Sequence, residues 1–249
     1  MSKSSGLGTL LFARGFDLSG DIGSIGTLST PSAKLDVSGI NATGHERIYG
    51  RHDGALTFNA FFNDATDQEH LILRAKNSGA DTIMSWYYGS AIGNPAYSID
   101  AKQTDYAWTE GADGSLEATI NALANGRGGD WCKMLTAGKR TDTGATNGAS
   151  LDSAVVGGTA FGLAAYLHVF SFTGTSMTAA IQESSNDGAG DAFAAVAGMT
   201  FTAATAVTSQ HLVTSSLTLA VERYLRVATT GTFNPCTFAI CATRFPYQL

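Results

Sequence analysis

Between residues 52 and 95 the hydrophobic pattern switches from a period of two to the helical period and back again. In residues 55–62, Leu56, Phe58, Ala60 and Phe62 alternate with Thr57, Asn59 and Phe61, the signature of a strand with one strongly apolar face. Asn63 and Asp64 interrupt that run. Thr66 and Glu69 then stand at the spacing of a capping box, and Asp64 and Asp67 add negative charge at the same end. Leu71, Leu73 and Ala75 follow, so the spacing predicts a helix over about 66–77, closed by Asn77, Ser78 and Gly79. Ile83, Met84, Trp86, Tyr87 and Tyr88 return the chain to strand chemistry. This is the one convincing helix in the sequence.

Elsewhere the pattern is short and β-like. Residues 10–48 hold brief apolar runs broken by Gly15, Gly20, Gly23, Gly26, Pro31, Gly39 and Gly44. Within them, 17–30 reads either as a strand pair or as a long flexible loop that orders against a neighbour. Residues 96–108 alternate, 110–115 make a turn, and 116–124 set Leu116, Ala118, Ile120 and Ala122 against Glu117, Thr119 and Asn121. That is a strand with a carboxylate on its polar face, although its alanines also permit a helix. Residues 125–130 read as a glycine loop. A small, polar stretch at 139–159 places a domain boundary near Ala137, giving expected domains 1–137 and 138–249. In the second, strands are expected at 166–172, 178–184, 193–201, 211–214, 223–229 and 237–245, with Tyr166, His168, Phe170 and Phe172 on one face. The expected fold class is mainly β, with one short helix in the first domain and an antiparallel β-sandwich as the second.

Composition sharpens this picture. The 249 residues are 44% hydrophobic, enough for a sizeable core, but only 14% are charged and 29 are glycine. Sparse charge suits tightly packed β-structure and surfaces covered by other subunits. The net charge of −6 argues against a protein that grips phosphate, and the acidity is uneven. Residues 1–137 carry 10 basic and 15 acidic side chains, residues 138–249 carry 5 and 6. No apolar run reaches the roughly 18 residues of a membrane span, and the first residues lack the apolar core of a signal peptide. Cys132, Cys236 and Cys241 are expected as free structural thiols, with Cys236 and Cys241 on opposite faces of any regular strand that holds both.

Catalytic patterns are missing. The five histidines (His45, His52, His70, His168, His211) share no metal-site spacing, and His168 reads as a packed core residue. No serine sits in GxSxG, no CxxC occurs, and the glycines of 125–130 lack the lysine of a phosphate loop. The expectation is no enzyme, no cofactor and no metal.

Several segments together carry a resemblance. DVSGINATGHERIYGRHDGALTFNAFFNDATDQEHLILRA, GNPAYSIDAKQTDYAWTEGADGSLEATINALANG and WCKMLTAGKRTDT resemble the major tail (tail tube) proteins of long-tailed, siphovirus-type phages. AYLHVFSFTGTSMTAAIQESSNDGAGDAF, RYLRVATTG and TFAICATRF resemble the second sandwich that many of them carry. The resemblance implies a virion protein made in the bacterial cytoplasm, which polymerises into stacked, usually hexameric rings around a conduit for DNA. Its partners would be further copies of itself, a tape measure protein, a tail terminator and distal tail proteins. DNA would pass without specific binding, and no membrane would be involved. Asp105 and Glu117 are then the candidate acidic residues of the lumen, where carboxylates would repel phosphate. Asp17, Gly20, Gly23, Gly26, Ile48, Gly50 and His52 mark candidate loops between rings or subunits, and 138–249 an outer decoration. The competing reading is a virion carbohydrate-binding protein or adhesin; a capsid decoration or baseplate protein is a third.

Overall fold

The computed structural model describes residues 5–75, 80–154, 161–216 and 218–245, and in them the chain is mainly antiparallel β with one short helix. In chain order its first half runs β1 (Leu10–Ala13), β2 (Phe16–Asp17), β3 (Ile22–Ser29), β4 (Ser32–Asp36), β5 (Arg47–His52), β6 (Ala55–Phe61), α1 (Glu69–Leu73) and β7 (Thr82–Tyr87). The longer strands β8 (Pro95–Glu110) and β9 (Leu116–Met134) follow, then the short β10 (Arg140–Asp142), β11 (Thr146–Asn147) and β12 (Leu151–Asp152). Last come β13 (Leu163–Ser184), β14 (Ala194–Thr200), β15 (Thr208–Val213) and β16 (Tyr224–Arg244).

The chain divides into two compact units, and they do not follow chain order. The first comprises Met1–Gly20, Ile83–Ser98 and Trp131–Leu249; the second comprises Asp21–Thr82 and Ile99–Asp130. Ala137 and Gly138, where composition suggested a boundary, both lie inside the first unit.

In the second unit, period-two alternation builds the core directly. Leu56, Phe58 and Ala60 of β6 stand opposite Ala122, Ile120 and Ala118 of β9, and all six are buried. Burying a side chain the size of Leu, Ile or Phe stabilises by about 1.5–3 kcal/mol. Helix α1 lies over this face: Leu73 is fully buried, and its carbonyl accepts a hydrogen bond from Gln103 Nε2 at 2.9 Å.

The helix is shorter than the pattern predicts. It spans five residues, its N-cap is Gln68 without a side-chain cap bond, and Asp67 sits at φ +63°. The capping box therefore does not form. Glu69 turns inward instead and becomes completely buried. Residues 76–79 lie outside the described residues.

Residues 22–29, within the stretch read either as a strand pair or as a loop, are strand, and so are two expected loops, at 48–52 and 125–130. Gly23 and Gly26 lie within β3, which pairs with β6 through register shifts at Ile22/Ser24 and Ile25/Thr27. A Cβ at Gly23 would stand 3.0 Å from the Phe61 ring, and one at Gly26 would stand 2.7 Å from Thr57 Oγ1. These glycines are bulge residues pressed against β6, not turn formers. Ile48, Gly50 and His52 lie within β5, Asp17 ends β2, and Gly20 alone sits in a turn. Residues 125–130 continue β9, with Gly126 and Gly128 at positive φ. A Cβ on Gly54 would stand 2.3 Å from the Gly129 nitrogen, so glycine here serves close backbone approach.

The first unit is organised on the antiparallel ladder of β13 and β16, which runs from Leu163↔Arg244 to Ser184↔Tyr224. Each of these long strands joins two shorter ones expected from the sequence, because bulges near Ser171 and Gly174 bend the ladder without ending it. Both faces of the ladder are buried. Leu163, Ala165, Leu167 and Val169 enter one core with Phe238, Ile240 and Ala242; Tyr166 enters the other with Phe12, Tyr87, Met134 and Cys241. Phe170 packs on the second core, but Phe172 packs on the first, since the shift after Val169 moves it to the opposite face. Cys236 and Cys241 lie in different cores, as their odd spacing predicts, and all three cysteines are free and buried. The polar stretch after Lys139 supplies β10, β11 and β12, each paired to β16; 155–160 lie outside the described residues.

Candidate functional site

Two surfaces of the second unit and one buried cluster of the first hold several of the residues that sequence reasoning singled out. The first surface is the hairpin of β4 and β5, which among the described residues pair only with each other in a two-stranded sheet. Lys34 faces Tyr49, Leu35 faces Ile48 and Asp36 faces Arg47. Its tip is held by polar contacts at 37–46. The Val37 N–H donates to the Glu46 carbonyl at 2.9 Å, and Asp36 accepts from the Ser38 hydroxyl and amide and contacts His45 Nδ1 at 2.7 Å. Those bonds, with Ser38 first and His45 after it, hold the Asp36 carboxyl below the usual carboxylate range.

A two-stranded hairpin has no second layer of its own. This one leaves Leu35, Val37, Ile40, Ile48 and Tyr49 exposed, Tyr49 to 80% and Ile40 completely. Lys34, Arg47, Ile48 and Tyr49 line a 440 Å³ depression on it. The candidate residues Ile48, Gly50 and His52 belong to this arm, and Ser32 Oγ meets His52 Nδ1 across its base at 2.9 Å. Asp17 does not join them: it accepts from Ser19 and pairs with Lys139 in the first unit. The two candidate segments are thus different structures.

The second surface is the polar face of the sheet, opposite α1. Thr57, Asn59 and Phe61 of β6 stand across from Asn121, Thr119 and Glu117 of β9, and the Thr119 hydroxyl donates to Asn59 Oδ1 at 3.1 Å. Glu117 is on this face by alternation with buried Ala118 and Ile120. Asp105 is half-buried, and its carboxylate accepts the Tyr106 N–H at 2.8 Å. The face combines neutral amides and hydroxyls with the Glu117 carboxylate and the exposed Phe61 and Leu123.

Beneath α1 lies a cluster that the sequence did not reveal. Phe62, His70, Tyr106 and Trp108 stack edge-to-face or tilted, with centroids 4.8–6.1 Å apart, and His70 Nδ1 lies 2.7 Å from the Tyr106 hydroxyl. Glu69 is buried beside them, and neither carboxylate oxygen closes a hydrogen bond. Burial raises its pKa to about 7, against the lowering pull of the Tyr106 hydroxyl; the Asp21 charge raises it further. Asp21 itself accepts from Asn63 Nδ2 and from the Glu69 N–H.

His168 is a core residue, as its sequence context suggests. Its Nδ1 accepts the Gly15 N–H at 3.3 Å, so the neutral ring carries its proton on Nε2 and donates to Ser85 Oγ at 2.9 Å. Ser85 continues to Ser98, and Ser98 to Cys241 Sγ. Burial pushes the His168 pKa down to about 3, which keeps the ring neutral. Every member of this chain is sealed from solvent, so it orders the core and has no access to a substrate. Among the described residues no three His, Cys, Asp or Glu side chains gather as metal ligands, and no helix is long and apolar enough to cross a membrane.

The class these features define is a mainly antiparallel β protein whose distinctive surface is an unpartnered apolar hairpin. No protein-family model matches the chain, and no curated protein does. Among solved structures, the tail of a gene transfer agent particle matches at 13% identity and TM-score 0.41, over 52% of this chain and 98% of that one. The Dit protein of phage SPP1, described as a hub adsorption apparatus, matches at 13% identity and TM-score 0.34, over 95% and 99%. The phage p2 baseplate matches at 10% identity and TM-score 0.34, over 96% and 99%. At such TM-scores the likeness establishes neither a shared fold nor a function.

Proposed function

We propose that this chain is a structural subunit of a long-tailed phage virion, polymerising into stacked, hexameric rings that form the tail tube. The observation that carries the reading is the β4–β5 hairpin. Among the described residues its strands find no third strand, and its five large apolar side chains are left exposed. A lone subunit gains nothing from such an arm; a ring or a stack buries it against the next copy. The sequence resemblance to tail tube proteins supports the same assignment, and so does the sheet braced by one helix. The polar face of β6 and β9 then lines the bore, with Glu117 among its groups and Asp105 of β8 as the second candidate, and its neutral amides and hydroxyls let a phosphate backbone slide. A tape measure protein, a tail terminator and distal tail proteins are the expected partners.

The test is assembly of the purified full-length chain, followed by negative-stain microscopy and light scattering. Tubes of uniform bore are expected, and Ile48→Lys with Tyr49→Lys should leave circular dichroism unchanged while stopping growth at small species. Discrete monomers at every concentration and salt, or tubes undisturbed by the double variant, overturn the reading. In a tube structure, both Glu117 and Asp105 on the outer wall would remove their lumen role.

A further inference from the structure

The first unit contains a cleft lined by no residue of the β4–β5 hairpin. It has a volume of 370 Å³, toward the small end of the roughly 300–1,000 Å³ typical of ligand pockets. Trp131 and Lys133 alternate on β9 with buried Cys132 and Met134, so both point into the same open space. Trp131 remains 50% exposed in a protein that hides most of its aromatic side chains. Its ring is nevertheless fixed, with Tyr97 edge-on at 5.3 Å and 66° and Trp86 at 6.4 Å and 86°. The result is an indole ordered by two aromatic neighbours yet still half open to the cleft. Opposite it, Gly93 keeps the cleft open, since a Cβ there would stand 3.0 Å from Leu151 Cδ1.

The polar lining is selective in charge. Asp152 is engaged by Arg223 in a bidentate pair, 2.7 Å at each oxygen, and also accepts the Ala154 N–H. Ser153 donates to the Arg223 carbonyl, and the Arg244 guanidinium donates to the carbonyls of Val221, Glu222 and Arg223. Lys133 is exposed and forms no hydrogen bond or ion pair among the described residues, and Thr243 presents a free hydroxyl under the same condition. With Asp152 engaged by Arg223 and the Arg244 guanidinium held on neutral carbonyls, the cleft is left positive, and the Lys133 ammonium is its exposed cation beside the Trp131 indole.

We propose that this cleft binds a saccharide ring bearing a carboxylate. The C–H face of a pyranose carries slight positive charge and complements the negative face of the Trp131 indole. Its hydroxyls reach Thr243 and the outer edge of the Asp152–Arg223 pair, and its carboxylate pairs with Lys133. An apolar side chain of a protein partner would use the indole but leave Lys133 without a counter-charge, which is why the acidic sugar is the better fit.

The test uses the full chain before assembly, so its outcome is independent of tube formation. Short oligosaccharides of glucuronic acid and of glucose, matched in length, are titrated while tryptophan fluorescence and amide shifts near residue 131 are followed. The acidic series should bind about tenfold tighter than the neutral one, an advantage that shrinks as salt rises. Trp131→Ala should lower affinity for both at least tenfold, and Lys133→Met should erase only the preference. Near-UV circular dichroism confirms the fold of each variant. No binding of either series to the wild type, or equal binding by Trp131→Ala, overturns the proposal. So does protection of Trp131 by a second copy of the chain when neither sugar binds.

Discussion

Replacing Glu69 by glutamine should turn a pH-dependent stability into a flat one. Glu69 is fully buried on the first turn of α1, with no hydrogen bond to either oxygen, among Asp21, His70, Tyr106 and, beyond Tyr106, Arg74. Its pKa rises from 4.5 in the unfolded chain to about 7 in the fold, chiefly because burial disfavours the charge. The folded state therefore holds this proton more tightly than the unfolded state does. Below pH 4.5 both states carry the proton and no penalty exists. Between there and about 7 the unfolded chain ionises first and stability falls; above about 7 the full penalty is present. A gap of about two and a half pH units at about 1.4 kcal/mol each gives about 3.5 kcal/mol. Glutamine has the shape and polarity of the protonated acid but cannot ionise. The assay is urea unfolding of wild type and Glu69→Gln between pH 5 and 8.5, followed by Trp108 emission in a background lacking the other two tryptophans. The variant should match the background protein near pH 5 and exceed it by up to about 3.5 kcal/mol at pH 8. Parallel curves across that range refute the reasoning, as does a background protein that gains on the variant as pH rises.

Three further outcomes follow from the packing. Gly54→Ala places a Cβ 2.3 Å from a backbone nitrogen and should cost about 3 kcal/mol by thermal unfolding, whereas Gly114→Ala, with open space around it, should cost only the roughly 1–2 kcal/mol of its φ of +85°. Phe58→Ala should destabilise by about 3–5 kcal/mol in urea, since Phe58 is buried opposite Ile120 in the centre of the second unit's sheet. Ellman's reagent should find no fast thiol in the native protein and three after guanidine, because Cys132, Cys236 and Cys241 are buried and burial pushes the Cys236 thiol up to about 11.

The fold was legible where periodicity is local. Alternation at 55–61 and 116–124 placed β6, the first part of β9 and their shared apolar face, and the odd spacing of Cys236 and Cys241 placed them in separate cores. It failed where a glycine has two physical meanings. Gly23, Gly26 and Gly128 read as turn formers, yet they sit inside strands, where they permit bulges or close backbone approach. Nothing in one sequence separates those roles, because the deciding atom belongs to a strand far along the chain. Glu69 failed for a similar reason: its spacing from Thr66 fits a cap, and only tertiary packing turned it inward. The hairpin residues Ile48, Gly50 and His52 were located, but as a presumed loop, and Trp131 as a bare neighbour of glycines.

Sparse charge, which first suggested a surface covered by partners, now has a more local explanation. The ladder of β13 and β16 is buried on both faces over much of its length, and strands of that kind are apolar and small in any protein. Composition alone therefore no longer argues for assembly. Position does. Among the described residues, five of the thirteen exposed large hydrophobic side chains lie between Leu35 and Tyr49, three on two strands that pair only with each other and two, Val37 and Ile40, in their connection. Scattered exposed apolar residues need no explanation, but this concentration on a hairpin without a second layer does. If the hairpin were merely a solvated arm, its apolar side chains could be replaced by polar ones at no cost to any function. The Ile48 and Tyr49 variants address that alternative directly, because they alter no residue of either core.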